Sequence, residues 1–171
     1  MTASLLVLAM GLGNCQLTPE ELELAKALIS DKHHIQKPLN CDQDLTWIAR
    51  ARAAMVAQRG KLSHMITSSL GVNDFVRLAG YPLPDNFPSK TVNNLEVLAG
   101  GMENGRDAWN ALTQSVGHAN LLLREDPSYQ EFDRFGVGHF YKWFSPYVDY
   151  WVIIYATRKA PSPQPHKKTS D

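Results

Sequence analysis

The sequence predicts an α+β domain in which helices come first and an antiparallel sheet comes last. The chain has 171 residues, a length that suits one globular domain. Apolar residues recur at helical spacing through the first half, whereas residues 135–155 hold two stretches rich in apolar and aromatic residues. Because helices and strands are segregated along the chain, layered α+β packing is favoured over alternating parallel units.

The first helix begins with a capping signal. Thr18 is the expected N-cap and Glu21 completes a capping box, with a proline at the first helical position. The helix is expected to end near Asp31. His33 and His34 follow in a polar stretch and are expected to be solvated, because adjacent side chains do not share a helix face. The predicted apolar stripe consists of Leu22, Ala25, Leu28 and Ile29.

A longer second helix starts at a cap formed by Asn40 or Asp42 and ends at Gly60. Arg52 interrupts one edge of its apolar stripe. The inward-facing residues of this helix are predicted to be Leu45, Ile48, Ala49, Ala53 and Val56.

The middle of the chain alternates short elements with loops. A short third helix is predicted from Asn73 to Gly80, and residues 81–90 contain three prolines typical of a loop. A strand is predicted over residues 94–99. One face of a fourth helix is expected to hold Ala108, Ala111, Leu112 and Ser115.

Two strands close the predicted domain, over residues 135–141 and 148–155. We place the domain at residues 17–157 and expect residues 158–171, which contain no core residue, to form a disordered tail. Aromatic residues cluster near the last hairpin, where most are expected in the core and some could line an apolar groove. They are Trp143, Phe144, Tyr147, Tyr150 and Trp151.

Residues 1–16 are predicted to be a signal peptide or an N-terminal anchor, because residues 4–13 are apolar but too few to span a bilayer. This predicts a secreted or periplasmic protein. Cys15 and Cys41 leave three alternatives open: a disulfide, two unpaired thiols, or a lipid anchor acylated at Cys15.

The charge balance argues against nucleic acid as a partner. Lysine and arginine total 17, aspartate and glutamate total 17, and no long basic block lies outside the tail. The sequence leaves the oligomeric state open.

Five short motifs follow one another between residues 18 and 157. They are the helix 45–60 followed by Lys61-Leu62-Ser63-His64; Phe75, Arg77, Gly80 and Tyr81; Glu96-Val97-Leu98-Ala99-Gly100-Gly101; Trp109 followed by residues 115–122; and the strand residues 135–138 and 150–151. In this order they resemble the bacterial SCP-like branch of the CAP superfamily, the cysteine-rich secretory proteins, antigen 5 and pathogenesis-related proteins. The resemblance implies an α-β-α sandwich with a small antiparallel sheet between the helices.

The resemblance also implies a central cleft lined by two histidines and, in many members, two acids. His64, Glu96 and His118 match three of these positions, whereas Leu112 stands where the second acid is expected. The spacing from Trp109 to His118 is also longer than in most bacterial members. The two nearby acids that could substitute are Glu103 and Asp107.

Two neutral imidazoles and one carboxylate are good ligands for zinc. A metal-free polar cleft and a closed structural hydrogen-bond network remain as alternatives. We therefore expect a secreted, non-catalytic binding module whose ligand is a divalent metal ion, a small apolar molecule or an extracellular macromolecule. The alternatives are a zinc-dependent hydrolase using the same cleft and a lipid-anchored envelope protein with a structural role.

Overall fold

The computed structural model describes residues 11–34, 38–85, 87–88 and 93–159. Most of the predicted signal segment and most of the predicted disordered tail lie outside these ranges. The helices are α1 (Pro19–Ile29), α2 (Gln43–Arg59), α3 (Val72–Leu78), α4 (Gly105–Gln114) and α5 (Val116–Leu122). The strands are β1 (Asn40–Cys41), β2 (Glu96–Gly100), β3 (Arg134–Tyr141) and β4 (Asp149–Ala156), and 3₁₀ turns cover Lys32–His34 and Pro127–Tyr129.

The four strands form one sheet in the order β1-β3-β4-β2. The three longer strands pair antiparallel, as predicted, and the two-residue β1 adds a parallel contact at one edge. Strand β2 forms the other edge. Together with the five helices, this confirms the predicted α+β class.

Local sequence signals set the helix boundaries. The Thr18–Glu21 capping box is formed in full. Of the two candidate caps for α2, Asp42 serves, because its carboxylate accepts the backbone N–H groups of residues 44 and 45. Gly60 ends α2 in the left-handed conformation, at φ 63°.

Helix α2 packs unusually close to the sheet. Two β3 glycines face it, and a Cβ atom added to Gly136 or Gly138 would lie 2.2 or 2.3 Å from α2 backbone atoms. The alternation of glycine with larger residues in β3 therefore keeps one sheet face flat where the helix crosses it.

Helices α1 and α4 cover the opposite face of the sheet. Trp109 of α4 lies near His34, whose ring in turn lies near Tyr155 of β4. The inward side of α4 consists of Ala108, Trp109 and Leu112, whereas Ala111, expected inside, is exposed. The α-helix also breaks at Ser115, which separates α4 from α5 between Trp109 and His118.

His34 departs from the sequence-based expectation of a solvated side chain. It is 2% exposed, and its two ring nitrogens lie 2.8 Å from the carbonyl oxygens of Leu28 and Leu122. The ring therefore joins the end of α1 to the end of α5.

Cys15 and Cys41 form a disulfide, with their Cα atoms 6.1 Å apart. This is one of the three alternatives left open, and it leaves no thiol on Cys15 for acylation. The predicted signal or anchor segment over residues 1–16 stays a prediction. Within the described ranges, no helix is long and apolar enough to cross a bilayer.

Candidate functional site

The site is built on a buried ion pair between α2 and β2. The Arg52 Nε donates to Glu96 Oε2 at 2.6 Å, and Nη2 donates to Oε1 at 3.0 Å. Both side chains are fully buried. This two-point contact neutralises the Glu96 carboxylate inside the protein and fixes its plane.

His64 lies against this pair. Its Nδ1 is 3.0 Å from Glu96 Oε1, while 38% of its side chain remains exposed. Arg52 also holds the loop before it, by donating from Nη2 to the carbonyl oxygen of Ser63 at 2.8 Å. In the neutral ring, Nδ1–H donates to the carboxylate and the lone pair lies on Nε2. Glu96 therefore fixes the orientation of the His64 ring through its Nδ1 side.

His118 reaches the same region from α5. Its Nδ1 is buried and has no hydrogen-bond partner within the described part of the chain. Partial burial lowers the pKa of His118, and the charge of His64 lowers it further. This interaction places the two imidazoles within electrostatic range of each other, and the lowered pKa favours the neutral form of His118. We call His64 and His118 the imidazole site.

The residues present do not fit a three-ligand zinc site. Both oxygens of Glu96 accept hydrogen bonds from Arg52, so the carboxylate faces a cation already. Among the described residues, no group of three or more His, Cys, Asp or Glu side chains could hold a metal ion. Zinc binding stays a prediction, with His64 and His118 as the two remaining ligands.

Neither candidate substitute for the second acid completes the set of four. Leu112, at the expected position, is 2% exposed in the core. Asp107 is exposed at the start of α4, where it accepts from the side chain of Asn104 at 2.8 Å, and Glu103 is also exposed. Neither joins the histidines in a metal-binding group within the described ranges.

Sequence reasoning missed the role of Arg52. The signal was present, because Arg52 lies within the inward stripe of α2, between Ala49 and Ala53. A fully buried arginine needs an acidic partner. The expected partner could have been sought among the acids at strand starts, which include Glu96.

The hairpin aromatics divide between the core and the surface. Tyr150 and Trp151 are fully buried, whereas Trp143 is 63% and Phe144 92% exposed. An apolar cavity of about 360 Å³ lies elsewhere, beside the C-terminal end of β4. Its lining consists of Pro84, Phe87, Pro88, Asn94, Ser128, Tyr129, Glu131, Phe132 and Thr157.

Comparison with known proteins identifies the fold. No protein-family model matches the chain, and no curated protein matches its sequence. An outer surface protein from Borrelia burgdorferi superposes with a TM-score of 0.62 at 17% identity, over 86% of this chain and 100% of that one. An extracellular protein containing an SCP domain, from Bacillus anthracis, gives a TM-score of 0.56 at 20% identity. That match covers 83% of this chain and 45% of the other.

The second comparison confirms the fold that the motifs imply. The chain therefore adopts an SCP-like fold.

Proposed function

We propose that this protein is a secreted or periplasmic SCP-fold binding module that holds its ligand at the imidazole site without catalysing a reaction. The two similar structures are those of an outer surface protein and an extracellular protein. The disulfide between Cys15 and Cys41 suits an oxidising compartment. Both observations support a location outside the cytoplasm.

The commitment of Glu96 to Arg52 carries the proposal. General base catalysis needs a proton acceptor within hydrogen-bond reach of the substrate. Glu96 is 1% exposed and bonded by Arg52 and His64, so it serves as a support for His64. The site offers imidazole nitrogens to a ligand and leaves its carboxylate in the interior, which suits binding better than hydrolysis.

Zinc is the direct probe of this site. Two imidazoles leave the remaining coordination positions to water, so we expect weaker binding than at a site with three protein ligands. Calorimetric titration with zinc would compare wild type with His64→Ala and His118→Ala. His33→Ala is the matched control, because His33 is 39% exposed and pairs with Asp31 away from the site.

Each site substitution should remove the zinc heat, whereas His33→Ala should behave as wild type. Wild-type protein that gives no heat, or site variants that bind like wild type, would refute zinc as a ligand of the imidazole site.

A small apolar molecule in the cavity beside β4 is a second candidate. Pockets of about 300–1,000 Å³ with mostly apolar walls and a few polar groups are typical of small-ligand sites. The rings of Phe132 and Tyr129 stack at a centroid distance of 5.9 Å, and Phe87 lies 6.1 Å from Phe132. These three rings supply an apolar wall.

Displacement of a fluorescent fatty acid tests this candidate. Phe87→Ser should weaken probe binding, because it removes part of the apolar wall, while Phe144→Ser, at a ring that is 92% exposed elsewhere, should leave it unchanged. The absence of probe binding at micromolar wild-type protein, or equal binding by both variants, would contradict it.

A further inference from the structure

The turn between β3 and β4 holds two large aromatic side chains in solvent. Trp143 is 63% exposed and Phe144 is 92% exposed, and their rings meet edge to face at a centroid distance of 6.1 Å. We call residues 142–147 the aromatic tip. Tryptophan and phenylalanine side chains gain strongly from leaving water, so a pair of them displayed together indicates a contact surface.

Hydrogen bonds and packing contacts hold the aromatic tip in one position. The Lys142 N–H donates to the carbonyl oxygen of Val148 at 2.7 Å, and the Ser145 hydroxyl donates to the carbonyl oxygen of Lys142 at 2.6 Å. Pro146 rests on Gly60 at the end of α2, and Tyr147 rests on Gly100 at the end of β2. These contacts hold the turn in place while Trp143 and Phe144 project from it.

The surroundings of the aromatic tip are positively charged. Residues 57–66 and 139–148, which meet at Gly60 and Pro146, contain Arg59, Lys61 and Lys142 and no acidic residue. Asp149, the first acid after the hairpin, is bound by His139 at 2.7 Å. Glu20 and Glu21 of α1 lie near His139, and Glu21 is paired with Arg50. Counting Glu20 and Glu103 as the remaining acids, Arg59, Lys61 and Lys142 still outnumber them.

The two rings alone supply less area than a specific protein interface needs. A tryptophan and a phenylalanine present about 150–250 Å² each, so the two exposed fractions sum to roughly 300 Å². A specific protein interface needs about 800 Å² on each side. A projecting aromatic pair beside basic residues suits the interfacial layer of a bilayer. There, aromatic rings lie at headgroup depth and basic side chains attract anionic lipids.

We propose that the aromatic tip anchors this protein peripherally to membranes that contain anionic phospholipid. Trp143 and Phe144 enter the interfacial layer, and Lys61 faces the lipid headgroups. The contact is reversible, because two side chains bury little apolar area in the bilayer.

Co-sedimentation of the full chain with vesicles tests the proposal. Vesicles of phosphatidylcholine that contain about a third phosphatidylglycerol would be compared with vesicles of pure phosphatidylcholine, at low and at high salt. Trp143→Ser/Phe144→Ser should lower the partition coefficient on anionic vesicles at least tenfold. Lys61→Ser should lower it about fivefold on anionic vesicles only, as expected for one cation near the surface.

Trp47→Ser is the matched control. Trp47 is 57% exposed in the first turns of α2, about 20 Å along the helix from Gly60. Trp47→Ser should bind vesicles as wild type does. On binding, the tryptophan emission of wild type should shift to the blue, whereas that of the double variant should not.

Three results would overturn the proposal. They are wild-type protein that stays in the supernatant with anionic vesicles, a double variant that binds like wild type, and a wild-type dimer in sedimentation velocity that the double variant abolishes. The last result would assign the aromatic tip to contact between copies of the chain.

Discussion

The buried pair of Arg52 and Glu96 gives the sharpest test of the structure. In Arg52→Met the Glu96 carboxylate keeps its buried position and loses its cation. Breaking a buried pair by removing one partner costs about 3–5 kcal/mol, because the remaining charge is uncompensated. Since domains of this size are stable by about 5–15 kcal/mol, the variant should lose a large share of its unfolding free energy.

Replacing both partners should cost far less. Arg52→Met/Glu96→Leu removes both charges from the interior, and such replacements are close to neutral or stabilising by about 1–4 kcal/mol in other proteins. The double variant should therefore be more stable than Arg52→Met by several kcal/mol. The matched surface control is Lys159→Met, which removes an exposed ion pair with Asp85 and should cost at most about 1 kcal/mol.

Urea denaturation at pH 7, followed by tryptophan fluorescence and circular dichroism, measures all three variants. If Arg52→Met costs no more than Lys159→Met, the pair is not the desolvated contact described. If the double variant is as unstable as Arg52→Met, lost packing of the arginine stem explains the effect and the electrostatic argument fails.

Three further predictions concern other parts of the molecule. Replacing both cysteines by serine should lower the unfolding free energy by about 3.5 kcal/mol in the chain-entropy model, measured by urea denaturation under oxidising conditions. Gly138→Ala should destabilise by at least about 1–3 kcal/mol in thermal melts, because the new methyl meets α2 backbone, whereas Gly117→Ala, in open space on α5, should be neutral or stabilising. In NMR titration, His118 should show a pKa below the usual histidine value, and His64→Ala should raise the His118 pKa. Because the native state resists protonation of His118, the unfolding free energy should fall as the pH drops below about 6.5.

The sequence was sufficient where the physics is local. Thr18 and Asp42 accept the first backbone N–H groups of their helices, and Gly60 adopts a conformation that few other residues tolerate, so all three helix boundaries could be predicted. The helix break at Ser115 carried a weaker signal: serine is a common N-cap residue, but the Ser115 side chain makes no capping hydrogen bond. Valine and glycine follow it without a proline or a strong cap, and its position depends on how α4 and α5 pack against the sheet.

The site could be predicted only in part, because its contacts join distant parts of the chain. The motifs indicated His64, Glu96 and His118, and the structure joins the first two at 3.0 Å. The sequence could show that Arg52 faces inward but not that it reaches Glu96, 44 residues away. That partner decides whether the carboxylate is available to a ligand, so the chemistry of the site lay beyond the sequence.

Residues of the β3–β4 turn show a second limit. The aromatic run near the hairpin predicted burial, and strand residues such as Trp151 follow that prediction. Trp143 and Phe144 lie in the turn itself, where no sheet face determines the direction of a side chain. Hydrophobic composition therefore predicted the core of the hairpin and failed at its end.

Arg52 also determines how much charge a ligand meets at the imidazole site. The Arg52–Glu96 pair sums to zero and Leu112 contributes nothing, so a divalent cation bound by two neutral imidazoles would gain no compensating negative charge. Removing the arginine should change this balance, because the buried Glu96 carboxylate behind His64 would then carry an uncompensated negative charge near the metal.

We therefore expect Arg52→Met to bind zinc at least tenfold more tightly than wild type in calorimetric titration, at a temperature where the variant remains folded. Arg52→Met/Glu96→Leu supplies the control, since it lacks both the cation and the carboxylate and should lose that gain. Equal zinc affinity in Arg52→Met and wild type would show that the guanidinium does not oppose the metal. Equal gains in both variants would show that the loss of positive charge acts without the Glu96 carboxylate.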